Sequence, residues 1–222
     1  MTKREYITGV MRRMNELGWD DSLPDMFLGG DTTKVEKHVE YLFRDSWRDA
    51  VGLLPWHFFN QASFKDSTHV CDVSVGTGFV VLPTDFYMFV SFKMDGWKKS
   101  CYSAVVEDDS VARVQSNSAV RGNFCRPVCT LSERVVYTNS GLRQERVLNY
   151  YSLPCGVPHH IEVATYIPFV GTIDLLADNA DLGLNELLYE PLQWINAGKV
   201  FSVFEKKDIA ETAVKEAMKL VV

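Results

Sequence analysis

The sequence lacks the features of a membrane-spanning or exported protein. It contains no apolar run of about 18 residues, the length at which a segment is read as a membrane-crossing helix. Residues 1–6 are charged and helix-like, without the apolar stretch and small-residue cleavage site of a signal peptide. We therefore expect a soluble chain that is not exported and has no membrane partner.

Basic side chains are too few for a protein that coats nucleic acid. The chain has 23 Lys and Arg against 29 Asp and Glu, a net charge of -6. Tight DNA binding depends on neutralising phosphates with Lys and Arg, so this balance argues against sequence-specific DNA recognition. With 46% hydrophobic and 23% charged residues the composition is that of a globular protein, which excludes disorder along the whole chain.

Cysteines are few, odd in number and scattered, which predicts reduced thiols rather than a disulfide framework. Cys125 and Cys129 form a conceivable half of a zinc site, and the other half would come from His69, Cys71, His159 or His160. However, three residues separate the two cysteines and no second Cys pair follows. We predict no stoichiometric zinc, and we expect that a reducing agent leaves the fold unchanged.

Motifs for catalysis are also missing. The sequence has no Gly-x-Ser-x-Gly, no Walker Lys-Ser/Thr and no His-Glu-x-x-His. Gly76 and Gly78 form a lone Gly-x-Gly that leads into a strand, whereas phosphate binding needs a helix N-terminus. The acidic clusters at 20–21 and 107–109 could hold a hard cation, but loops with such clusters are usually only solvated. We therefore predict no catalytic residue, no cofactor and no bound metal, and no enzyme.

What the sequence does contain begins with a helical zone over residues 3–62. Apolar residues at helical spacing predict one helix that ends at Gly18 and a second, amphipathic helix that stops near Gly52. Thr33 followed by Glu36 has the spacing of a capping box for the second helix. Its expected core face consists of Val35, Val39, Leu42, Phe43, Trp47, Ala50 and Val51.

Residues 70–168 change to a strand pattern rich in β-branched and aromatic side chains. Asp95-Gly96 predicts a two-residue hairpin turn with positive φ, and Asn139-Ser140-Gly141 marks a second hairpin. The expected strands lie at 79–82, 87–92, 101–106, 134–137, 146–151 and 161–167. This zone is predicted to be an antiparallel β domain or insertion.

Residues 181–222 return to a helical pattern. Pro191 is expected in a first turn or at a break, and Asp208 is expected to cap the last helix. The predicted fold class is therefore α+β, in which segments 1–62 and 181–222 form one helical bundle and 70–168 form a β-rich domain.

Three phrases, in this order, resemble the head-to-tail connector (adaptor) proteins of short-tailed bacteriophages, of the tail tubular A or head-completion type. They are LPWHFF at 54–59, LPTDF at 82–86 with the turn phrase SFKMDGW at 91–97, and PLQWINA at 191–197 followed by an Ala- and Lys/Glu-rich helix. Together they span most of the chain. Residues from about 111 to 158 match nothing in that pattern.

The resemblance implies a virion structural protein at the head–tail junction, made in the cytoplasm of a bacterial host. It implies a homo-oligomeric ring, a dodecamer, that contacts the portal protein above and tail proteins below while DNA passes through its channel. A binding or assembly module without a ring, and an enzyme with an unrecognised site, are the alternatives.

Two segments are candidate protein interfaces. Residues 110–150 contain six Arg and two Glu, and we expect Arg134, Arg143 and Arg146 to face an acidic neighbour. We expect their reversal to Glu to weaken assembly and leave the monomer folded. The C-terminal segment has a thin apolar face and ends on apolar residues. We expect it to be mobile when free and to dock on the portal, through Ile209, Leu220, Val221 and Val222. The alternative for this segment is a helix packed in its own bundle.

Overall fold

The structure is a computed structural model that describes residues 1–18, 32–106, 108–115, 117–138 and 141–221. The chain divides into two compact units. A helical unit consists of Met1–Asn60 and Val170–Val222, and a β unit consists of Gln61–Phe169. The predicted α+β class is confirmed, with helices near both ends of the chain and sheets between them.

The helical unit is centred on its fourth helix. The helices of the chain are α1 (Lys3–Glu16), α2 (Thr32–Leu53), α3 (Ser110–Val114, in the β unit), α4 (Glu186–Val203) and α5 (Lys207–Lys219). Helix α4 contacts α1, α2, α5 and a 3₁₀ turn at Trp56–Phe58. Most of its residues from Leu188 to Phe201 are buried, and its apolar residues accordingly do not form a single narrow stripe.

Helix α1 ends at the predicted residue but begins with a motif that was not predicted. Leu17 caps its C-terminus, and Gly18 follows with φ of +82°, so the predicted stop is confirmed. At the other end, the Glu5 amide donates to Thr2 Oγ1 and the Thr2 amide donates to Glu5 Oε2, which is a complete capping box.

Three terminus predictions in the other helices are wrong. Helix α2 begins at Thr32, so Thr33 lies inside its first turn and is not the capping residue. Helix α5 begins at Lys207 with Lys206 as its N-cap, so Asp208 is not the capping residue. It lies in the first turn, where its negative charge interacts favourably with the helix dipole. Pro191 lies inside α4, beyond the first turn, without ending the helix.

Where the structure describes the β unit, eight strands form two sheets. They are β1 (Ala62–Ser63), β2 (His69–Asp72), β3 (Thr77–Val81), β4 (Phe86–Met94), β5 (Ala104–Val106), β6 (Cys129–Thr138), β7 (Gly141–Tyr150) and β8 (Ile161–Pro168). One sheet has the order β1-β8-β4 and the other has the order β2-β3-β7-β6-β5. These neighbours pair in antiparallel fashion except β5 and β6, which are parallel, so the prediction of a purely antiparallel domain is wrong for this pair.

Both sheets contribute to one aromatic core. The ring of Phe92 in β4 stacks on the ring of Phe64, with 6.0 Å between the ring centroids. The centroids of Trp97 and Tyr150 lie 5.7 and 5.8 Å from that of Phe92. These four side chains are buried, as aromatic rings with offset and edge contacts usually are in a β core.

Gly76 and Gly78 are explained by packing. Gly76 has φ of +69°, and a Cβ on it would collide with the carbonyl of Leu153. A Cβ on Gly78 would collide with the Val70 carbonyl and the Tyr150 ring. The Gly-x-Gly phrase therefore lets strands and loops approach each other closely.

The Asp95-Gly96 turn forms, but its predicted type is wrong. The Trp97 amide donates to the Met94 carbonyl at 2.9 Å, yet Gly96 does not have positive φ. The chain after the turn does not form a hairpin strand with β4 either. Strand β4 pairs with β8, and an isolated bridge between Phe92 and Cys101 joins β4 to the chain after the turn. Position 96 requires glycine because a Cβ there would lie 2.8 Å from the His159 ring.

The second predicted hairpin is confirmed by the β6–β7 register, which ends at the pair Thr138 and Gly141. Gly141 has φ of +111°, a conformation that favours glycine. Asn139 and Ser140 lie outside the described residues.

Asp95 connects the turn after β4 to the entrance of β8. Its carboxylate contacts His159 Nδ1 at 2.6 Å and His160 Nδ1 at 2.9 Å. Burial acts to raise the pKa of Asp95, but the hydrogen bond from His159 and the charges of both imidazoles outweigh it and leave that pKa below its ordinary value.

We expect Asp95→Asn to destabilise the protein at neutral pH by about 1 kcal/mol, with a difference that disappears in acid. The pKa of Asp95 is lower in the folded protein than in the unfolded chain, where it is about 3.9. The stabilisation by Asp95 is therefore complete at pH values above roughly 3.9, and is lost as the pH falls through the pKa of the folded protein. Urea unfolding of both proteins from pH 7 to pH 3 measures this. Asp66→Asn, at an exposed carboxylate of the same unit, is the control; a difference between wild type and Asp95→Asn that persists at the lowest pH contradicts the prediction.

Candidate assembly surface

The described residues do not bring the predicted metal candidates together. Among them, no group of three or more His, Cys, Asp or Glu side chains could hold a metal ion. Asp20, Asp21 and Glu107 lie outside the described residues. The prediction of no stoichiometric zinc therefore stays a prediction, which elemental analysis of protein purified without chelator tests.

Two of the five cysteines meet in the β core. Cys101 Sγ lies 3.0 Å from the Ser103 carbonyl, and a hydrogen bond from the Cys129 thiol lowers the pKa of Cys101 to about 7. Burial raises the pKa of Cys129. Both side chains are buried, which limits the access of reagents to this pair.

The most distinctive surface of the β unit is the outer part of the β6–β7 hairpin. The two strands pair with each other along their whole length, from Cys129 opposite Tyr150 to Thr138 opposite Gly141. Their neighbours in the sheet reach only the base, since β5 pairs with residues 129–131 and β3 pairs with residues 147–150. We call residues 132–138 and 141–145 the arm; among the described strands, its two strands pair only with each other.

The register of the arm sorts its side chains onto two faces. Residues that are directly opposite in an antiparallel pair share a face, and successive residues alternate. Val135 lies opposite Gln144, so Leu142, two residues from Gln144, shares its face. Arg134 lies opposite Glu145, and Arg143 lies on that same second face. One face of the arm therefore carries Val135 and Leu142 beside Glu133 and Gln144, and the other carries Arg134 and Arg143 beside Glu145, so the two arginines and two glutamates balance.

On both faces, described side chains of the arm are open to solvent. Val135 is 67% exposed and Leu142 is 69% exposed, which is unusual for large aliphatic side chains on one strand pair. Arg134 and Arg143 are also exposed. An exposed, self-paired ribbon of two strands has free backbone edges and little burial of its own, so a partner surface would stabilise it.

The three arginines predicted as an interface are not equivalent. Arg146 lies at the base of the arm, where its guanidinium donates to the Phe86 carbonyl at 3.0 Å and covers the Phe86 ring at 5.4 Å. Arg134 is exposed but also lies over the Phe79 ring, at 5.2 Å. Arg146→Glu would break contacts inside the β unit, so reversal of all three arginines tests an interface less specifically than reversal of Arg134 and Arg143. That these arginines face an acidic neighbour stays a prediction.

The C-terminal candidates lie on or after a helix that is packed within the helical unit. Ala210, Ala213 and Ala217 of α5 are buried, and a Cβ on Gly198 of α4 would lie only 3.2 Å from the Ala213 methyl group. Small side chains on both helices allow α4 and α5 to approach each other closely. Helix α5 therefore packs in its own bundle, which is the alternative that the sequence left open for this segment. Leu220 is exposed, Ile209 and Val221 are half-buried, and Val222 lies outside the described residues.

The arginines of the arm were predicted as interface residues, but Val135 and Leu142 were not. Apolar and polar residues do not alternate on either side of the predicted Asn139-Ser140-Gly141 turn, so no pattern in the sequence marks these two positions. A strand pattern also cannot show that adjacent strands stop short and leave the ribbon exposed.

Charge is distributed unequally between the two units. The helical unit contains 13 Lys and Arg and 19 Asp and Glu, a net charge of -6, and the β unit contains 10 of each. The whole negative charge of the chain therefore belongs to the helical unit, while the arginines of the arm belong to the neutral β unit.

The chain matches no protein-family model, and no curated protein is significantly similar to it. Within the described residues, none of the helices is both long and apolar enough to span a bilayer.

Proposed function

We propose that this protein is a virion structural protein that assembles as a ring at the head–tail junction of a short-tailed phage. The observation that carries the proposal is the arm, a self-paired ribbon that exposes the aliphatic side chains of Val135 and Leu142 on one face and Arg134 and Arg143 on the other. The order of the three connector-like phrases supports the phage assignment. Twelve copies, a portal protein above and tail proteins below are what that resemblance implies.

A ring needs two different contact surfaces on every copy. Head-to-tail contacts are heterologous, and they close into a ring when the rotation between copies divides a full turn. The arm supplies an exposed surface with aliphatic side chains and two arginines, and the helical unit of the same chain carries a net charge of -6. The two surfaces differ in character, as the two contact surfaces of each copy in a ring must.

The negative charge also fits a passage for DNA. Acidic groups that line a channel repel the phosphate backbone, which disfavours sticking and lets DNA slide. In this proposal the protein contacts DNA without recognising its sequence.

Native mass spectrometry and negative-stain electron microscopy of the purified protein, alone and with the portal protein of the same virus, test the proposal. We expect particles of about twelve copies with a central channel. A protein that stays monomeric in both conditions would instead favour a binding module without a ring.

We expect the double reversal Arg134→Glu/Arg143→Glu to raise the concentration needed for assembly at least tenfold, because paired interface charges contribute about 1.5 kcal/mol or more. Sedimentation velocity over a dilution series measures this shift, and circular dichroism checks that the variant is folded. Lys65→Glu/Lys99→Glu is the matched control, because it makes the same charge change at exposed positions outside the arm. Equal shifts in both variants would show that net charge alone is responsible.

A further inference from the structure

Cys101 and Cys129 lie next to each other in the β unit, although they are 28 residues apart in the chain. Cys101 is held beside β4 by its isolated bridge with Phe92. Cys129 is the first residue of β6 and lies opposite Ala104 in the parallel pair of β5 and β6. The Cys129 thiol donates a hydrogen bond to the Cys101 sulfur, so the two sulfur atoms are in contact. Two thiols in contact are the arrangement from which a disulfide forms by exchange.

A cavity of about 410 Å³ opens to solvent beside this pair. Cys101 and Cys125 line the cavity, whereas Cys129 is not among its lining residues and is 0% exposed. Burial limits access to the pair as a whole, and the cavity gives it one approach, from the side of Cys101. Its volume is within the range of small-molecule sites, roughly 300–1,000 Å³.

The lining of the cavity is positively charged. Lys99 and Arg126 contribute to it, and both side chains are exposed. Among the described residues that line the cavity there is no Asp or Glu. Two cations without a carboxylate raise the local concentration of small anions. The cavity therefore favours an anionic reagent over a neutral or cationic one.

The two thiols differ in reactivity. The hydrogen bond from Cys129 outweighs burial and lowers the pKa of Cys101 to about 7. A large fraction of Cys101 is therefore thiolate at neutral pH, and the thiolate is the nucleophilic form. Burial raises the pKa of Cys129, so Cys129 keeps its proton. The pair thus contains one thiol that is ready to attack and one that is held in reserve.

We propose that Cys101 reacts with small anionic disulfides, such as glutathione disulfide, and that Cys129 converts the product into a Cys101–Cys129 disulfide. The Cys101 thiolate attacks one sulfur of glutathione disulfide, whose S–S bond breaks, and one glutathione leaves as a thiolate that takes a proton from water. The Cys129 sulfur then attacks the Cys101 sulfur, and its proton passes to the second departing glutathione. Two protein thiols are oxidised, and glutathione disulfide is reduced to two thiols.

The first step prepares the second. Burial, the hydrogen bond with Cys101 and the negative charge of the Cys101 thiolate all raise the pKa of Cys129. Bonding of Cys101 to glutathione removes that negative charge, so Cys129 loses its proton more easily. The order of the two steps therefore follows from the environment of each thiol.

The bond would form where disulfides predominate over thiols. In a reducing cytoplasm the glutathione pool keeps both cysteines reduced, and in an oxidising environment the same exchange runs forward. The disulfide then joins the chain after β4 to the start of β6, within the β unit. This inference does not depend on the proposed ring.

Peptide mass spectrometry of the reduced protein, incubated with glutathione disulfide at pH 7 and then alkylated, tests the proposal. We expect a peptide pair joined through Cys101 and Cys129, preceded by a transient glutathione adduct on Cys101. The mapping uses the unaltered protein, so its result does not depend on the folding of any variant.

Two serine variants separate the roles of the cysteines. A serine hydroxyl also donates a hydrogen bond, so Cys129→Ser should keep Cys101 activated and remove the second step. We expect its glutathione adduct on Cys101 to accumulate at least tenfold above that of the wild type. Cys125→Ser, at a cysteine that lines the same cavity, is the matched control and should leave the Cys101–Cys129 disulfide unchanged.

The charge of the reagent tests the role of the cavity. We expect Arg126→Gln to slow the reaction of Cys101 with glutathione disulfide severalfold and to leave its reaction with cystamine, a cationic disulfide, no slower. A disulfide between Cys101 and Cys125, or a Cys101 that reacts only after unfolding in urea, would overturn the proposal. Equal slowing with both reagents would show that the cavity does not select an anion.

Discussion

Replacing Gly76 by alanine should destabilise the β unit by about 3 kcal/mol or more. Gly76 has φ of +69°, which costs an L-residue about 1–2 kcal/mol. A Cβ at this position would also collide with the Leu153 carbonyl, and that carbonyl is backbone, which cannot rotate away as a side chain can. Accommodating it requires a shift of the chain, which typically costs about 1–3 kcal/mol. Guanidinium unfolding followed by circular dichroism measures the loss.

Gly156→Ala is a matched control for this prediction. Gly156 also has positive φ, +89°, but a Cβ there has no atom within 4 Å. The control should therefore show the conformational cost alone, about 1–2 kcal/mol. If the two variants lose equal stability, the collision with Leu153 contributes nothing and the packing explanation of the Gly-x-Gly phrase is wrong.

Trp47→Ala should destabilise the helical unit by about 3–5 kcal/mol. Trp47 is fully buried on α2, and its ring meets the edge of Phe59 at 6.1 Å. Truncation removes a large apolar surface from the core and leaves a cavity that the surrounding helices fill only in part. The loss is measured by the same unfolding experiment.

Tyr41→Ala, on the same helix, distinguishes burial from helix propensity. Tyr41 is exposed, so its truncation should change stability by no more than about 0.5 kcal/mol. A large effect at Tyr41, or a small one at Trp47, would contradict the assignment of the core face of α2.

The core face of α2 shows what sequence periodicity could predict. Trp47 and five other residues of the predicted face are buried, and Leu42 is half-buried. A single amphipathic helix carries this information locally, because one face is apolar and the other is charged. The stop at Gly18 and the β6–β7 hairpin were predictable for the same reason, since each depends on a few adjacent residues.

Features that depend on distant residues were not predictable in this way. Gly96 looked like a turn glycine, but its small size is required by His159, 63 residues later in the chain. The exposure of the arm depends on where β3 and β5 end, which the sequence of the arm itself does not encode. The arginines of the arm were visible from composition, whereas their position on the face opposite to Val135 and Leu142 needed the strand register.

The helical unit is built from two stretches of chain, Met1–Asn60 and Val170–Val222, and this division has a consequence for synthesis on the ribosome. Helix α4, which packs on α1 and α2, ends 150 residues after α2 does. At about 5–20 residues per second, translation needs roughly 8–30 seconds to deliver it. The β unit is one continuous segment and can fold during this interval, while the apolar faces of α1 and α2 remain exposed. We expect nascent-chain chaperones to hold those two faces until α4 emerges.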